Sequence, residues 1–458
     1  MVTRDNRSFF FKIFLLFAIL VAIFLLFQPW EESYVVEQNN DYQDNANSLI
    51  GEERRDDIHS YLILINDKRD EFINEEKDFL EINLALRKVK LYQDGLAIKE
   101  SPILALGDVR NWGGSATGIY CIKSKARSSY STVSEVYMPY ALHYYGKYYL
   151  HGEPYNFDGT KFSSDFSGGC IRLADDQAQY YYETINPGLP VIVVSQERKI
   201  NNYNDAGLDF PVITATNYLV TDLESGLILA EKKSQEQKPI ASITKMMTAV
   251  VVAENVNLER KIEVDSSMLN AYGSIQGLEE GKTFKAVELF YPLLIESSNN
   301  AAEILSHFLG RNRTINLMNQ KAEAILMIGS EFVDPHGLSE GNIATARDIF
   351  QLTRYVYYIR PPLLEISRSK LVRNFGGLQF DVDSMWNKNI FSQDPNFIGG
   401  KTGFIKASRY TGTMIFRFLT EGKEMRDISI IYLGSESPKA DVQRIYSWLM
   451  ENFNLKPI

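Results

Sequence analysis

From position 79 the chain sets apolar residues at every second place. In LEINLAL, Leu80, Ile82, Leu84 and Leu86 alternate with Glu81, Asn83 and Ala85, which predicts a strand. RKVKLYQDGLAI continues as a strand, a Q-D-G turn and a second strand. Short strands and glycine-rich turns run on to VIVV at 191–194, and helical spacing appears mainly in ADDQAQYYYETI. A mostly β domain is therefore expected over 79–195. QERKINNYNDAGL, 196–208, is polar and turn-forming and reads as a linker. Beyond it TNYLVTDLESGLILAEK predicts a hairpin, and SITKMMTAVVVAENV predicts a buried helix. Further helices to about 360, then strands, then a closing helix in ADVQRIYSWLMENF make 209–458 an α/β domain. Its mixed sheet carries a helical subdomain between sheet halves.

The start of the chain has another pattern. Residues 9–27, FFFKIFLLFAILVAIFLLF, are apolar apart from Lys12, close to the roughly 20 residues that span a bilayer as a helix. Arg4 and Arg7 precede this stretch, and Glu31, Glu32, Glu37, Asp41 and Asp44 follow it. Positive charge stays inside, so the bulk of the chain is expected on the extracytoplasmic side of the cytoplasmic membrane. The alternative is a cleaved signal peptide, but Gln28-Pro29-Trp30-Glu31 offers no small-residue cleavage site. Residues 1–30 are thus expected to be a cytoplasmic tip and transmembrane signal anchor. Residues 31–78 are expected to be an acidic linker with a possible helix. The expected fold class is multidomain: a transmembrane helix, a mostly β domain and an α/β domain.

Composition narrows the chemistry. With 45% hydrophobic residues among 458, the chain can build real cores. A formal net charge of −10 argues against a nucleic-acid partner. The five histidines, at 59, 143, 151, 307 and 336, form no HExxH, and the two cysteines form no CxxC. No metal and no other cofactor is expected.

Ser242-Ile243-Thr244-Lys245 places a hydroxyl and an amine one helical turn apart. A serine needs a base to become a nucleophile, and a lysine serves once burial or a second cation lowers its pKa. Ser367-Arg368-Ser369-Lys370 repeats the spacing, but no apolar helix follows it. The first copy is followed in order by Ser297-Ser298-Asn299 and Lys401-Thr402-Gly403. That order, SxxK, SxN, KTG, is that of the penicillin-binding protein and serine β-lactamase superfamily. KPIASITKMMTA, ESSNNAAEIL, FVDPHGLSEGNIATARDIFQL and GGKTGF resemble the D-alanyl-D-alanine carboxypeptidase family, the low-molecular-weight penicillin-binding proteins, over about 209–455. The resemblance implies Ser242 as the acylated nucleophile and Lys245 as its general base. It implies Ser297 and Asn299 as the second wall and proton relay. Lys401, Thr402 and Gly403 would hold the substrate carboxylate, and the backbone N–H groups of Ser242 and Phe404 would form the oxyanion hole. Ser298 and Asn300 offer a competing SxN register. Ile405 and Ala407-Ser408 depart from common family residues.

Cys170 raises a separate question, since a catalytic cysteine needs a base, usually histidine. His151-Gly152 follows the strand KYYL, with His143 as the other nearby histidine. HGEPYNFDGTKFSSDFSGGCIRL resembles the signature of the YkuD-type L,D-transpeptidases, and the resemblance covers about 79–195. It implies Cys170 as nucleophile and His151 as base. Ser167 and Gly169 would shape the turn and oxyanion pocket, and Arg172 would hold the site or bind a carboxylate. Gly168 and Ala116 depart from the family's frequent histidine and proline. A Cys121–Cys170 disulfide is the alternative in an oxidising compartment.

Together the resemblances imply a fused pair of peptidoglycan enzymes. One would trim stem pentapeptides at D-Ala-D-Ala, the other would cross-link tetrapeptides, and β-lactams would be covalent inhibitors. D,D-endopeptidase or β-lactamase activity in the serine domain, or a non-catalytic wall-binding scaffold, are the rival readings.

Overall fold

The computed structural model describes residues 61–458 except 163, 165, 274–276 and 373–376. Its first helix, α1 (Ile65–Asn74), lies in the expected linker. Among the described residues no helix is long and apolar enough to cross a membrane. The longest, the closing helix Pro438–Asn452, has 15 residues, against about 20 for a span. The transmembrane helix therefore drops out of the fold class. The stretch 9–27 that was expected to form it lies outside the described residues, as does the acidic stretch 31–57.

The first domain is built around two main sheets, with a further two-stranded pairing beside them. Strands β1 (Phe79–Asn83), β2 (Lys88–Gln93) and β3 (Leu96–Pro102) form a meander. A two-residue strand β4 (Leu106–Gly107) comes next, then β5 (Gly118–Cys121), β6 (Ser124–Ser131), β7 (Val136–Tyr145) and β8 (Tyr148–His151). The short β9 (Phe166–Ser167) and β10 (Ile171–Arg172) flank Cys170, and α2 (Asp175–Thr184) leads into β11 (Pro190–Val194). One sheet has the order β3-β2-β1-β11-β5 and the other β10-β8-β7-β6. The alternation read in LEINLAL holds only as far as Asn83, because the chain turns at 84–87 with Arg87 at φ 54°. Both faces of β1 are covered. Leu80 and Ile82 enter the inter-sheet core, while Phe79 packs under α1 against Phe72 and Tyr92. The buried Glu81 is held by Tyr92 Oη at 3.0 Å, as a buried carboxylate must be.

The second domain carries a sheet of order β13-β12-β20-β19-β18. Its hairpin is β12 (Asn217–Asp222) and β13 (Ile228–Lys232), turning at Glu224-Ser225-Gly226 as expected. The short β14 (Lys238–Pro239) and a single 3-10 turn precede helix α3 (Thr244–Asn255). Strands β15 (Lys261–Glu263) and β16 (Thr283–Lys285), helices α4 (Ala286–Leu294), α5 (Asn299–His307) and α6 (Arg311–Ala324), strand β17 (Ile343–Ala344), and helices α7 (Ala346–Ile359) and α8 (Pro361–Ser367) complete the helical part. The chain returns to the sheet through β18 (Phe397–Ile405), β19 (Arg409–Leu419) and β20 (Met425–Ser435), then closes with α9 (Pro438–Asn452) and β21 (Lys456–Pro457). Helix α3 is the axis of this domain, since its residues 244 to 254 are all buried.

The two domains share one compact unit rather than hanging from a tether. Leu62 and Leu64 enter the core of the second domain while α1 covers the first. The 196–208 segment has no regular structure, but it is pinned by Asn201 Nδ2 on Asp222 at 3.0 Å and by the Ala206 N–H on the Asn452 carbonyl. Trp112 of the first domain is 3% exposed and stacks on Phe290 of α4 at 5.3 Å. A charged cluster is sealed at the same junction. Glu254 pairs with Arg360 at 2.8 Å and with Lys321 at 3.0 Å, and all three side chains are 0% exposed. Removing one partner of such a set costs about 3–5 kcal/mol, because it leaves an uncompensated buried charge.

Candidate active sites

The serine motif sits where a strained turn meets a helix. Ala241 is left-handed at φ 49°, and the 3-10 turn Ala241–Ile243 runs straight into α3. Ser242 and Lys245 therefore share a face, with Lys245 Nζ donating to Ser242 Oγ at 2.9 Å. The same nitrogen reaches Asn299 Oδ1 at 2.7 Å and the His336 carbonyl at 2.6 Å. Burial, and then the charge of Lys401, hold its amine well below the usual lysine range. Opposite, β18 carries Lys401, whose Nζ lies 2.8 Å from Ser297 Oγ. Burial and then Lys388 push the Lys401 amine down to about 7. Gly403 on the same strand packs against the backbone nitrogen of Ser242, where a Cβ would stand only 2.6 Å away.

The register of the middle motif follows from the helix it precedes. Ser298 is the N-cap of α5, its Oγ accepting the Ala301 N–H at 3.1 Å. Asn300 is buried. That leaves Ser297 and Asn299 at the site, with Ser297 held at φ 61°, a left-handed state that costs a non-glycine residue about 1–2 kcal/mol. Thr402 lends its carbonyl to Lys401 at 2.6 Å, and Phe404 is 56% exposed against Tyr410. The second SxxK has no such company. Ser367 Oγ donates to the Leu364 carbonyl and accepts the Gly400 N–H, so it ends α8 and ties it to β18.

The residues missed by side-chain reading support Lys245 from behind. The His336 ring lies between Glu303 and Asp334, each at 3.0 Å, and its backbone oxygen is the Lys245 acceptor. Those carboxylates raise the imidazole pKa against burial, and the imidazole, with the Gly337 and Ser339 N–H groups, holds the Asp334 carboxyl well below the usual range. DPHGL reads only as a turn in sequence, and a carbonyl acceptor leaves no residue-type signature.

In the first domain Ser167 and Gly169 build the expected turn. Ser167 Oγ donates to the Cys170 carbonyl at 2.5 Å and accepts the Gly169 N–H at 3.1 Å. Gly169, at φ +116°, lies flat on the Tyr148 ring, where a Cβ would come within 2.4 Å of an edge carbon. Parallel pairing sets Arg172 opposite His151 and Ile171 opposite Leu150. Leu150 and Ile171 point into the core, so Arg172 and His151 lie on the opposite face of that pair. Arg172 donates to the Ser164 carbonyl at 2.7 Å.

Cys170 and His151 are each hydrogen-bonded to a backbone carbonyl and not to each other. The thiol donates to the Lys147 carbonyl at 3.6 Å, and burial pushes it up to about 11. His151 Nδ1–H donates to the Gly152 carbonyl at 2.6 Å, which leaves Nε2 as the free lone pair. Burial pushes this ring down to about 4, so it is neutral near pH 7. The resting pair is therefore a neutral thiol and a neutral imidazole. His143 Nε2 meets the Gly146 carbonyl at 2.9 Å and its ring stacks on Tyr149, which locks the β7–β8 turn. Cys121 and Cys170 are both free thiols, so the disulfide alternative is not what the fold holds.

Two family models match the chain. The D-alanyl-D-alanine carboxypeptidase model of peptidase family S11 matches residues 205–432, and the L,D-transpeptidase catalytic domain model, YkuD, matches residues 77–193. A D-alanyl-D-alanine endopeptidase of Pseudomonas aeruginosa is 34% identical, covering 50% of this chain and 76% of its own. One from Haemophilus influenzae is 30% identical over 43% of this chain and 68% of its own. The D-alanyl-D-alanine carboxypeptidase DacB2 of Mycobacterium tuberculosis is 29% identical, with the same two coverages of 43% and 68%. With both sites built from the residues these matches span, the chain belongs to the S11 D-alanyl-D-alanine carboxypeptidase family and carries a YkuD L,D-transpeptidase domain ahead of it.

Proposed function

We propose that the chain is a bifunctional peptidoglycan-remodelling enzyme of the extracytoplasmic space. It would trim pentapeptide stems at its serine site and cross-link the resulting tetrapeptides at its cysteine site. The observation that best supports the serine reaction is the depressed Lys245 amine 2.9 Å from Ser242 Oγ, with Lys401 as the nearby second amine.

The serine reaction follows from that geometry. The neutral Lys245 amine takes the Ser242 proton as Oγ attacks the penultimate D-alanine carbonyl. The backbone N–H groups of Ser242 and Phe404 receive the developing oxyanion, and Lys401 holds the terminal carboxylate. The peptide C–N bond breaks, D-alanine leaves with a proton relayed through Ser297, and water then hydrolyses the ester. β-Lactams would acylate the same oxygen.

The cysteine reaction starts from the neutral pair. The thiol leaves the Lys147 carbonyl, His151 Nε2 takes its proton, and Sγ attacks the carbonyl of the third stem residue. D-alanine departs with the proton from the imidazolium, leaving a thioester. An acceptor amine displaces the thiol and forms the new amide bond. Gly169, free of a Cβ, would let the reacting carbonyl approach the turn, where the Gly169 N–H rests on Ser167 Oγ at 3.1 Å.

A second reading of the serine site, cleavage of D,D cross-links, is favoured by the two relatives of highest quoted identity, which are named endopeptidases. Muropeptide mass spectrometry tests both readings. Ser242→Ala is expected to stop D-alanine release from pentapeptide and leave tetrapeptide cross-linking, and Cys170→Ala to do the reverse. Loss of both activities from either substitution would contradict two separable reactions. Cleavage of cross-linked dimers without pentapeptide trimming would select the endopeptidase reading.

A further inference from the structure

Helix α3 carries Ser242 and Lys245 at its entry and touches the cysteine domain at its exit. The Lys147 ammonium donates to the Ala253 carbonyl at 2.9 Å, and the Lys147 N–H points at the Glu254 carbonyl at 3.3 Å. Lys147 is the residue whose own carbonyl receives the Cys170 thiol. The C-terminal carbonyls of the serine-bearing helix thus clasp the turn on which the cysteine rests.

Arg360, at the α7–α8 junction of the serine domain, reaches the cysteine turn by two further routes. Its Nη2 donates to Tyr148 Oη at 2.5 Å, and the Tyr148 ring is the surface on which Gly169 lies. Its Nη1 donates to the Gly114 carbonyl at 2.6 Å. The neighbouring Gly113 is packed beside the turn: a Cβ on Gly107 would meet the Gly113 carbonyl at 1.5 Å and the Gly169 α-carbon at 2.7 Å. Three glycine backbones, 107, 113 and 169, are therefore in mutual contact, and Arg360 holds one side of the stack through Gly114 and the other through Tyr148. Glu254 fixes Arg360 at 2.8 Å and is itself held by Lys321 at 3.0 Å and by the Tyr355 hydroxyl. Lys321 in turn donates to Tyr120 Oη on β5 at 2.8 Å.

We infer that Arg360 of the serine domain, fixed by Glu254, is a positioning residue of the cysteine site: it holds Tyr148 and the Gly113–Gly114 backbone, and through them the Gly169–Cys170 turn. The inference rests on the reading of Cys170 as a nucleophile. It makes the cysteine site incomplete without the serine domain. The reason is physical. A thioester-forming turn that must present an N–H to an oxyanion needs its backbone fixed to a fraction of an ångström. The first domain supplies glycines there, which fix nothing by themselves. The guanidinium is planar and always charged, so its two hydrogen-bonded nitrogens set both routes at once.

The test uses the full chain with two mild variants, Tyr148→Phe and Arg360→Lys. Tyr148→Phe deletes only the hydroxyl that Arg360 grips. Arg360→Lys keeps the charge beside Glu254 but loses the fork. Three readouts are taken: fluorescent-penicillin acylation of Ser242, D-alanine release from tetrapeptide, and the iodoacetamide alkylation rate of Cys170 across pH. Expected for both variants is acylation within twofold of wild type, tetrapeptide turnover lowered at least tenfold in kcat, and Cys170 alkylation several-fold faster as the turn loosens. The opposite movement of the last two is the mark of positioning. Turnover and alkylation both within twofold of wild type would overturn the inference. So would a parallel loss of Ser242 acylation, which would assign the cluster to the serine domain's own fold. A wild type inert toward tetrapeptide, with the alkylation shift intact, would sink the activity reading while upholding the positioning one.

Discussion

Gly403 lies against the backbone nitrogen of Ser242, so close that a Cβ there would stand 2.6 Å from it. The strand β18 and the turn that enters α3 thus touch backbone to backbone, which in the proposed reaction would let one N–H from each converge on a single oxyanion. Gly403→Ala must push the two apart. The expected result is penicillin acylation of Ser242 slowed about 10–100-fold, the order of losing an oxyanion donor. Stability should fall by about 1–3 kcal/mol, as for overpacking. Stopped-flow acylation and urea denaturation measure the two separately.

The two SxxK copies differ in what their serines touch. Ser242 meets a lysine amine, while Ser367 meets the Leu364 carbonyl and the Gly400 N–H. Ser242→Ala is expected to abolish labelling by fluorescent penicillin. Ser367→Ala should keep the label and lose about 1–2 kcal/mol of stability, the usual cost of unmaking buried hydrogen bonds. Label retained in the first variant would overturn the assignment.

Much of this was legible in the residues. The KTG and SxxK motifs, the hairpin at Glu224-Ser225-Gly226 and the helix after Ser242 each rest on local patterning, and each lies where expected. The chain failed to announce what depends on contacts far apart in sequence. LEINLAL turns after Asn83, because alternation does not record where a strand must leave its sheet. The 196–208 stretch reads as a linker because it is polar, yet Asn201 and Asp222 bury that polarity against each other. Glu254, Lys321 and Arg360 look like surface charges until folding seals them together. The His336 carbonyl that receives Lys245 belongs to the backbone, which no residue type encodes. The apolar run at 9–27 lies outside the described residues, among which no helix is long and apolar enough to cross a membrane.

Lys401 and Lys388 give a pH test. Burial and the Lys388 charge bring the Lys401 amine down to about 7, so the free enzyme loses that ammonium as pH rises through neutrality. With a peptide ending in a free carboxylate, kcat/KM is expected to fall on this alkaline side. Lys388→Gln removes the opposing charge, raises the Lys401 pKa and should move the alkaline limb to higher pH. A limb that stays in place, or moves to lower pH, would show that Lys401 does not set carboxylate binding.

The two reactions are chemically consecutive, because trimming a pentapeptide makes the tetrapeptide that the cysteine site would consume. The most direct measurement is a time course, by mass spectrometry, of the chain incubated with muropeptides carrying only pentapeptide stems. Wild type is expected to form tetrapeptide first and then cross-links between third residues. Ser242→Ala is expected to form neither until tetrapeptide is supplied, and then to cross-link at the wild-type rate. Equal cross-linking by both proteins from pure pentapeptide would contradict the account.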